Sequence, residues 1–332
     1  MAAVHPPQPP RVYVLILNHN GRSHLESCIP SVRATDYPRF ELVLIDNAST
    51  DGSLDFVKGH FPRLVTIQNR TNLGWAAGNN AGIRYALECG ADYIVLLNND
   101  VRVDPRWLTH AVEVAETDPL IGVMGFDTIG EYHINADPDQ ALFEQRKAAW
   151  RKRVVTPTEH VAGCALFLRA DLLRYIGLID EHFFAYGEED DLEKRARRAG
   201  YRSVRINIPL WHYNGGYWDR TKLLRAAVLA QRNHIRVMAK NDSPGVALRR
   251  FRDMVIFICW PGLRYDRSHA HLRRLRPSIY PVNVLILLYA ILWNVLALPA
   301  TLLARCRDEK RVRAARWHLA DLLRRQPEDT RP

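Results

Sequence analysis

The sequence predicts an α/β protein whose sheet is mostly parallel. Between residues 11 and 126, short apolar segments rich in β-branched residues alternate with segments of helical periodicity. Alternation of this kind produces βαβ units, in which the strands run parallel. Polar clusters at Asn18, Asp46 and Asn98–Asp100 each follow one of the apolar segments. Ligands of parallel sheets bind beyond the carboxyl ends of the strands, so we expect these clusters to form one site.

The first elements are marked by clear boundaries. Arg11–Leu17 (RVYVLIL) lies between prolines and an Asn-His-Asn-Gly turn, which predicts a buried strand. Ser23–Val32 is predicted to be a helix with its first residue as the N-cap. Phe40–Ile45 (FELVLI) is predicted to be a second buried strand, which stops at Asp46-Asn47.

The later elements continue the same alternation. Helices are predicted over residues 51–58, 75–89, 107–116 and 192–199, and strands over residues 64–67, 93–97, 121–126 and 161–168. The helix at 75–89 opens after a glycine-bearing turn. Residues 127–159 are polar and charged without clean periodicity, which predicts a long loop over one end of the sheet.

Composition excludes several classes of protein. The 332 residues are 47% hydrophobic and 25% charged, which excludes a wholly disordered, collagen-like or fibrous chain. The net charge of +10 is unevenly placed: residues 1–240 carry 29 Lys and Arg against 28 Asp and Glu, and residues 241–332 carry 17 against 8. Because nucleic-acid binding needs a basic surface, the nearly neutral main body argues against nucleic acid as a partner.

Cysteine usage and the N-terminus favour a reducing, cytoplasmic setting. The five cysteines are odd in number and widely spaced, and no pair has the CxxC spacing of zinc or redox sites. A secreted disulfide framework does not fit this pattern either. The first ten residues, MAAVHPPQPP, lack the basic and apolar regions of a signal peptide and are predicted to be a flexible, proline-rich lead-in.

A long apolar segment marks the C-terminal region. Tyr280–Ala304 contains 25 residues without Asp, Glu, Lys or Arg, and about 20 apolar residues suffice to cross a bilayer. Basic residues lie both before it, at 273–276, and after it, at 305–316, so a simple span would put one cluster on the wrong side of the membrane. The alternatives are an in-plane or re-entrant segment, a true span, and a buried helix of a soluble protein. We predict that residues 241–332 hold the protein on the cytoplasmic face of a membrane.

The Asn98-Asn99-Asp100 cluster is a candidate metal site. Asp100 follows a buried strand and an Asn pair, a placement that suits a hard cation with oxygen ligands. Mg²⁺ or Mn²⁺ there would bridge phosphate oxygens and stabilise a leaving diphosphate. The alternative is that the three residues form a turn in which Asp100 caps the next helix.

A glycine- and asparagine-rich stretch surrounds the start of the helix predicted at 75–89. Asn72 and Gly74 precede it, and Gly78 and Asn80 lie in its first turns. Glycines let the backbone approach a ligand, and a helix N-terminus favours anionic groups. The alternative is a tight turn with close packing of helix against sheet.

Four consecutive acids, Glu188 to Asp191, follow a run of aromatic residues. They would benefit from a helix dipole, so a purely structural cap is one reading. Four acids also repel one another, and crowding beside aromatic rings raises a carboxyl pKa toward that of a working general base.

His212 lies in a Trp-His-Tyr-Asn-Gly-Gly segment whose glycines would let a loop wrap a phosphate. A single histidine is more often structural than a ligand, so both readings stay open. The other twelve histidines show no comparable context.

Taken in order, these segments resemble the family 2 glycosyltransferases, particularly the branch that contains bacterial rhamnosyltransferases. The resemblance covers about residues 11–240. It rests on VLILNHNG at 14–21, LIDNASTDGS at 44–53, Asn72-Leu73-Gly74 with Gly78 and Asn80, LNND at 97–100, Gly163, Asp180-Glu181, the acidic cluster and His212.

The resemblance implies the GT-A fold, a mostly parallel, Rossmann-like sheet flanked by helices that binds nucleotide-diphospho-sugars. Asp46 matches the family position that contacts the nucleotide base and ribose. Asp100 matches the last acid of the DxD-like motif, and His212 matches a histidine that completes the metal or diphosphate site, which implies a divalent cation, Mg²⁺ or Mn²⁺. The donor-binding residues implied in this way are Asn18, Asp46, Asn47, Asn72, Gly74, Gly78, Asn80, Asn98 and Asn99.

The acidic cluster departs from the family pattern. The family usually has Glu-Asp-x-Asp, which places Glu189 on the position of the catalytic base and Asp191 on the last acid. Because Glu189 stands where Asp is usual, Glu188 remains the alternative base. Asn98 stands where many relatives have Asp, which leaves Asp100 as the main metal carboxylate.

The implied activity is an inverting, metal-dependent sugar transfer. The resemblance favours dTDP-rhamnose as donor, with UDP-hexoses as alternatives, and a hydroxyl of a glycan or lipid-linked acceptor in cell-envelope polysaccharide assembly. A binding protein on the same fold that has lost turnover is the second hypothesis. The expected organisation is a lead-in at 1–10, a catalytic domain at 11–240 and a helical, membrane-associating region at 241–332.

Overall fold

The computed structural model describes residues 8–129, 140–150, 154–213, 220–259 and 280–325. The strands found there are β1 (Val12–Asn18), β2 (Phe40–Asp46), β3 (Val65–Gln68), β4 (Tyr93–Asn98), β5 (Val101–Arg102), β6 (Ile121–Ile129), β7 (Val155–Pro157), β8 (Ala165–Arg169) and β9 (Arg202–His212). The helices are α1 (Arg22–Arg33), α2 (Ser53–His60), α3 (Gly74–Glu88), α4 (Trp107–Glu116), α5 (Gln140–Ala149), α6 (Ala170–Ile176), α7 (Glu188–Ala199), α8 (Arg220–Asn241), α9 (Pro244–Cys259), α10 (Tyr280–Leu296) and α11 (Leu298–Arg325).

One mixed sheet organises the described part of the chain. Its strand order is β3-β2-β1-β4-β8-β6-β9-β5, and β7 pairs with β9 at the side. The pairings give β1, β2, β3, β4, β6 and β9 one common direction, while β5, β7 and β8 run against it. The predicted mostly parallel α/β sheet is therefore confirmed. Asn18 pairs with Asp46, and Leu17 with Asn98, so three strands end at one edge.

The strands bury alternate side chains on the two faces of the sheet. Val12, Val14 and Ile16 of β1 pack with α1 and α4 on one face, whereas Tyr13 and Leu15 pack with α3, α6 and α7 on the other. Burial on both faces explains why these strands are continuous apolar runs in the sequence.

The C-terminal helices pack against the body that carries the sheet. Val312, Ala315 and Leu319 of α11 belong to the same core as α6 and α7. A separate small core, in which Met238, Met254 and Leu287 are buried, joins α8, α9 and α10. No single helix of the described chain has both the length and the apolar character of a bilayer span; Pro281–Leu296 and Leu298–Arg324 pass that test only as a pair, bent by 65°.

Several predicted elements need correction. The loop expected at 127–159 contains the end of β6, helix α5 and strand β7. Helix α5 was missed because its sequence, QALFEQRKAA, buries only Phe143 and so shows no apolar stripe. Strand β9 was missed because its Arg, Asn and Pro residues interrupt the apolar pattern, and Pro209 lies beside a register shift. Short helix α6 was also not predicted, and the strand expected from residue 161 begins at Ala165.

The helix predicted at 192–199 begins earlier, at Glu188. Gly187 adopts the left-handed conformation before it, with φ of 90°, which ends the preceding turn and lets all four acids enter the first turn of α7. Helix α1 begins at Arg22, after Gly21, so Ser23 is inside the helix and is not its cap.

Parts of some predicted features lie outside the described residues. These are residues 1–7 of the lead-in, residues 130–139 and 151–153 of the predicted loop, the glycines after His212, the basic residues at 273–276, and residues 326–332.

Candidate active site

The ends of β1, β2 and β4 bring three predicted residues together. The Asn18 Nδ2 donates to Asp46 Oδ1 at 3.3 Å and to Ser49 Oγ at 3.0 Å. The Asn99 Nδ2 donates to Asn18 Oδ1 at 2.7 Å. Asn18 and Asp46 have no exposed surface, so their side chains organise the edge of the sheet from beneath.

The Asn47 amide connects this edge to the start of α3. Its Nδ2 donates to Asn72 Oδ1 and to the Gly74 carbonyl, both at 3.0 Å, and its Oδ1 accepts from the Leu73 amide. A Cβ on Gly78 would lie 2.7 Å from Leu17 Cδ1, so glycine at this position lets α3 press against the sheet. Asn18, Asp46, Asn47, Asn72 and Asn99 together form what we call the strand-end cluster.

Asn80 is not part of the strand-end cluster. Its buried amide donates to the Ile179 carbonyl at 2.8 Å and to Glu181 Oε1 at 3.0 Å, and its Oδ1 accepts from the Ile179 amide. These contacts tie α3 to the segment before α7, which is a packing role.

Asp100 and His212 face each other across the short β5–β9 pairing. Val101 pairs with His212, the Tyr213 amide donates to the Asp100 carbonyl at 2.9 Å, and Asp100 Oδ1 lies 3.2 Å from His212 Nε2. Burial alone raises the pKa of Asp100, but the contact with His212 outweighs it and brings the pKa below its ordinary value. Burial likewise lowers the pKa of His212, but the neighbouring Cys164 and Asp100 outweigh it and raise the pKa well above its ordinary value.

These two side chains fit a divalent cation that takes further ligands from a substrate. Asp100 Oδ1 and His212 Nδ1 are buried and accept or donate no well-aligned hydrogen bond within the described chain. Mg²⁺ and Mn²⁺ are commonly held by one or two carboxylates, with phosphate oxygens and water completing the shell. In the described ranges, no group of three or more His, Cys, Asp and Glu side chains has an arrangement that could hold a metal ion by itself, so the donor diphosphate would have to supply the other ligands.

Glu188 and Glu189, which we call the carboxylate pair, open α7 beside α3. A Cβ on Gly163 would lie 3.5 Å from Glu189 Oε1 and 3.8 Å from Trp75 Cζ2, so carboxylate and indole meet at this glycine. The Trp75 Nε1 in turn donates to Asn98 Oδ1 at 3.3 Å. The indole therefore connects the carboxylate pair to the end of β4.

Gly163 and Cys164 bridge the two acidic sites. Glu189 lies against Gly163, while the carbonyl of Cys164 accepts from the Asn98 amide at 2.9 Å and its thiol interacts with His212. The carboxylate pair and the Asp100–His212 contact are therefore separated by two consecutive residues. The structure thus brings both predicted acidic positions to one edge of the sheet.

The two members of the carboxylate pair have different electrostatics. Burial, together with the charge of Asp190, raises the pKa of Glu189 from 4.5 to about 7. Burial and the charge of Glu189 raise the pKa of Glu188 well above its ordinary value. Glu188 has 4% of its surface exposed, whereas Glu189 is half-buried. A pKa of about 7 allows Glu189 to exchange a proton near neutral pH.

His160 is a site residue that the sequence did not reveal. Its Nδ1 lies 3.0 Å from Asp190 Oδ1, and this contact raises the pKa of His160 to about 9. The resulting positive charge favours the ionised form of Glu189. The local sequence around His160 carries no mark of this role, because its partners are about 30 residues away in the chain.

Asn233 of α8 holds the turn that precedes the carboxylate pair. Its Nδ2 donates to the carbonyls of Phe183, Ala185 and Tyr186 at 2.7 to 2.8 Å. The backbone of Phe184 and of Tyr186 has positive φ angles of 63° and 70°, which residues other than glycine rarely adopt. No local sequence signal marks Asn233, because its partners are about 50 residues away.

Asp191 points away from the carboxylate pair into a buried ionic cluster. Its carboxylate contacts Lys240 Nζ and Arg195 Nε, each at 2.9 Å, and Lys240 Nζ also lies 2.9 Å from Asp180 and from Asp308 of α11. Burial raises the pKa of Asp191, but the charges of Lys240 and Arg195 outweigh it and lower the pKa. This buried ionic cluster fixes α7 against α8 and α11.

Comparisons with known proteins identify the family that the sheet-forming part of the chain matches. Residues 13–176 match the family model of glycosyl transferase family 2. An N-acetylglucosaminyl-diphospho-decaprenol L-rhamnosyltransferase of Mycobacterium tuberculosis is 24% identical over an alignment of 230 positions, and the match covers 58% of this chain and 72% of that protein. The galactofuranosyltransferase GlfT1 of Mycolicibacterium smegmatis is 27% identical over an alignment of 210 positions, and the match covers 57% of this chain and 66% of that one.

Solved structures share the fold at low sequence identity. A mannosyltransferase of Pyrobaculum calidifontis in complex with GDP-mannose and Mn²⁺ has a TM-score of 0.53 at 18% identity, and the match covers 96% of this chain and 89% of that one. TarS of S. aureus (residues 1–349) in complex with UDP-GlcNAc has a TM-score of 0.56 at 14% identity, covering 94% and 92%. The predicted GT-A fold is confirmed by these matches.

Proposed function

Since residues 13–176 of this chain belong to glycosyl transferase family 2, we propose that it transfers a sugar from a nucleotide-diphosphate donor to a hydroxyl group with inversion at the anomeric carbon. One observation carries the proposal. Glu189, with a pKa of about 7, and the Asp100–His212 contact lie on either side of Gly163 and Cys164. Glu189 is then placed to accept the proton of an acceptor hydroxyl. The Asp100–His212 contact, two residues away across Gly163 and Cys164, is placed to hold a cation that binds the departing diphosphate.

The strand-end cluster is the proposed nucleotide site. Asp46 is positioned by Asn18 and by the Ser49 amide, which donates to Asp46 Oδ2 at 3.1 Å. In this proposal Asp46, which has no exposed surface, holds the Ser49 turn against the base or ribose, and Asn47 and Asn72 fix the backbone beside it. Asn98 and Asn99 orient the end of β4 toward the diphosphate.

Asp100 and His212 would hold the divalent cation. When bound, Mg²⁺ or Mn²⁺ offsets the negative charge that develops on the leaving diphosphate. The carboxylate of Asp100 would supply a hard oxygen ligand. The raised pKa of His212 favours its protonated form, which would donate to the diphosphate, and only the neutral imidazole would supply a nitrogen ligand.

Glu189 is the proposed general base. It accepts the proton of the acceptor hydroxyl as the oxygen attacks the anomeric carbon, and the nucleoside diphosphate leaves from the opposite face of the sugar. Glu188 is the less suitable base because the residue is almost fully buried, whereas Glu189 keeps part of its surface exposed. Asp191 would act as a positioning residue through the buried ionic cluster, and Asn233 through the turn before α7.

The favoured donor is dTDP-rhamnose, with UDP-hexoses as alternatives, and the favoured acceptor is a lipid-linked glycan of the cell envelope. The rhamnosyltransferase relative carries a decaprenol-linked substrate in its name, which supports a similar acceptor class here. An acceptor of this kind would place the enzyme at the cytoplasmic face of a membrane.

A nucleotide-release assay tests the proposal. The full chain is incubated with a panel of dTDP-, UDP- and GDP-sugars, with and without Mn²⁺ and with a membrane extract as the source of acceptor. We expect acceptor-dependent release from one donor class that Glu189→Gln abolishes. A wild-type protein that binds a nucleotide sugar with no release under any condition would favour the alternative, a binding protein on the same fold.

A further inference from the structure

Helix α10 has two chemically different sides. Ile286, Leu287 and Ala290 are buried against α8 and α9, and the Asn294 Nδ2 donates to the Arg232 carbonyl of α8 at 2.9 Å. This inner side is ordinary protein core. It fixes α10 to a helix that carries charged residues.

The opposite side of α10 is apolar and exposed. Leu285, Leu288, Leu292, Val295 and Leu296 are between 57% and 75% exposed, and their spacing of three and four residues puts them on one side of the helix. Near the start of α11, Leu303 is a further apolar side chain, 73% exposed. These six residues are called the apolar face below. Soluble proteins rarely expose contiguous apolar surfaces of this extent without a partner.

Exposed basic residues continue the same side of α11. Arg307 and Lys310 follow Leu303 by four and seven residues, which is the spacing of one helix side, and both are exposed. On α11, therefore, an exposed leucine and two exposed basic residues share one side of the helix. Apolar side chains beside exposed basic ones are the combination that binds the interface of an anionic bilayer.

We propose that the apolar face lies in the plane of an anionic lipid surface, with Arg307 and Lys310 among the headgroups. A crossing orientation would carry α8, with Arg232 and Arg236, into hydrocarbon together with the inner side of α10. A second copy of the chain would present the same basic residues, and like charges repel, whereas anionic headgroups complement them.

The position of α8 links this surface to the active site. Arg232 contacts α10 through Asn294, and the next residue, Asn233, holds the turn before the carboxylate pair. Docking would therefore set the height of Glu189 above the lipid. This consequence for the acceptor rests on the proposed function, but the docking itself does not.

Vesicle flotation of the full chain tests the docking. Wild-type protein is mixed with phosphatidylcholine vesicles with and without phosphatidylglycerol, and we expect it to float with the anionic ones. The double variant Leu288→Gln/Leu292→Gln should lower the partition coefficient about a hundredfold, because two leucine side chains no longer leave water. Arg307→Gln/Lys310→Gln should lower it about 30-fold on anionic vesicles and leave binding to neutral vesicles unchanged.

A matched control removes exposed apolar side chains elsewhere. Val154→Gln/Val155→Gln changes two exposed residues at β7, outside the C-terminal helices, and should float like the wild type. Circular dichroism and nucleotide binding of all variants report whether they fold. Failure of the nucleotide-release assay with normal flotation would remove the proposed function and leave the docking intact.

Several results would overturn the proposal. Wild-type protein that does not float at low salt, or a Leu288→Gln/Leu292→Gln variant that floats normally, would show that the apolar face is not the lipid contact. A dimer that this variant dissociates in sedimentation experiments would assign the apolar face to a second copy of the chain.

A labelling experiment with Ala320→Cys in a Cys306→Ser background distinguishes in-plane binding from crossing. An impermeant maleimide outside sealed vesicles should label the introduced thiol above the Cys306→Ser parent, and protection of the thiol would mean that the segment crosses.

Discussion

The pH dependence of turnover gives the sharpest test of the base assignment. An ordinary glutamate with a pKa of 4.5 would be fully ionised through the neutral range and would leave no trace in a rate profile. Burial and the charge of Asp190 raise the pKa of Glu189 to about 7. Its ionised fraction is then about a half at pH 7 and about a tenth at pH 6. We therefore expect kcat/KM to rise with pH and to level off above about pH 8.

Variants of Glu189 and its neighbour His160 should alter this profile in different ways. Glu189→Gln should lower turnover by a factor of about 10²–10⁴ and abolish the increase of kcat/KM between pH 6 and 8, which is called the rising limb below. His160→Gln removes a positive charge that favours the ionised carboxylate, so the limb should move to higher pH while the plateau persists. His60→Gln is the matched control, since His60 is an exposed histidine of α2 whose ring contacts Phe56 and Phe61 at its own end of the helix.

Stability measurements separate chemistry from folding. Because the folded-state pKa of Glu189 lies above its unfolded value, ionisation destabilises the fold as pH rises from about 4.5 to 7. Glu189→Gln should thus be at least as stable as the wild type at pH 8. A folded Glu189→Gln enzyme that keeps its rate and its limb would refute the assignment. Loss of the limb in Glu188→Gln, which we expect to be milder, would transfer the role to Glu188.

Three further substitutions test other parts of the site. Asp100→Ala should lower turnover by about two to four powers of ten, because the cation and diphosphate lose their carboxylate, and steady-state assays across a Mn²⁺ series should show no recovery. Asp46→Ala should weaken nucleoside diphosphate binding, and calorimetry with unchanged affinity would exclude Asp46 from the site. Lys240→Met should lower the free energy of unfolding by about 3–5 kcal/mol because it removes the buried cation that three buried carboxylates share. Burial raises the pKa of Asp180 and of Asp191, but Lys240 outweighs it and helps to hold both pKa values below their ordinary value. The stability that these ionised carboxylates contribute is therefore present above about pH 4 and is lost as the pH falls below it. The melting temperature of Lys240→Met should consequently fall less on acidification than that of the wild type.

The sequence alone was sufficient to predict the parallel sheet and the polar residues at the carboxyl ends of its strands. Buried strands such as Val12–Asn18 are continuous apolar runs because both of their faces are covered, and they end abruptly at Asn or Asp. That local contrast makes Asn18, Asp46 and Asp100 identifiable from their positions along the chain. The apolar character of α10 was equally visible, as a run of residues without charge.

Only the tertiary structure decided how distant segments meet. Asp191 looks like its acidic neighbours in the sequence, yet the helix turns its carboxylate toward Lys240 of α8, while Glu189 faces Gly163. His160 and Asn233 act through partners many residues away, for which a linear pattern carries no signal. Likewise, the side of α10 that stays exposed depends on which side packs against α8. A sequence specifies local preference and apolar periodicity, whereas pairwise electrostatics and the exposure of one helix side arise only when elements pack together.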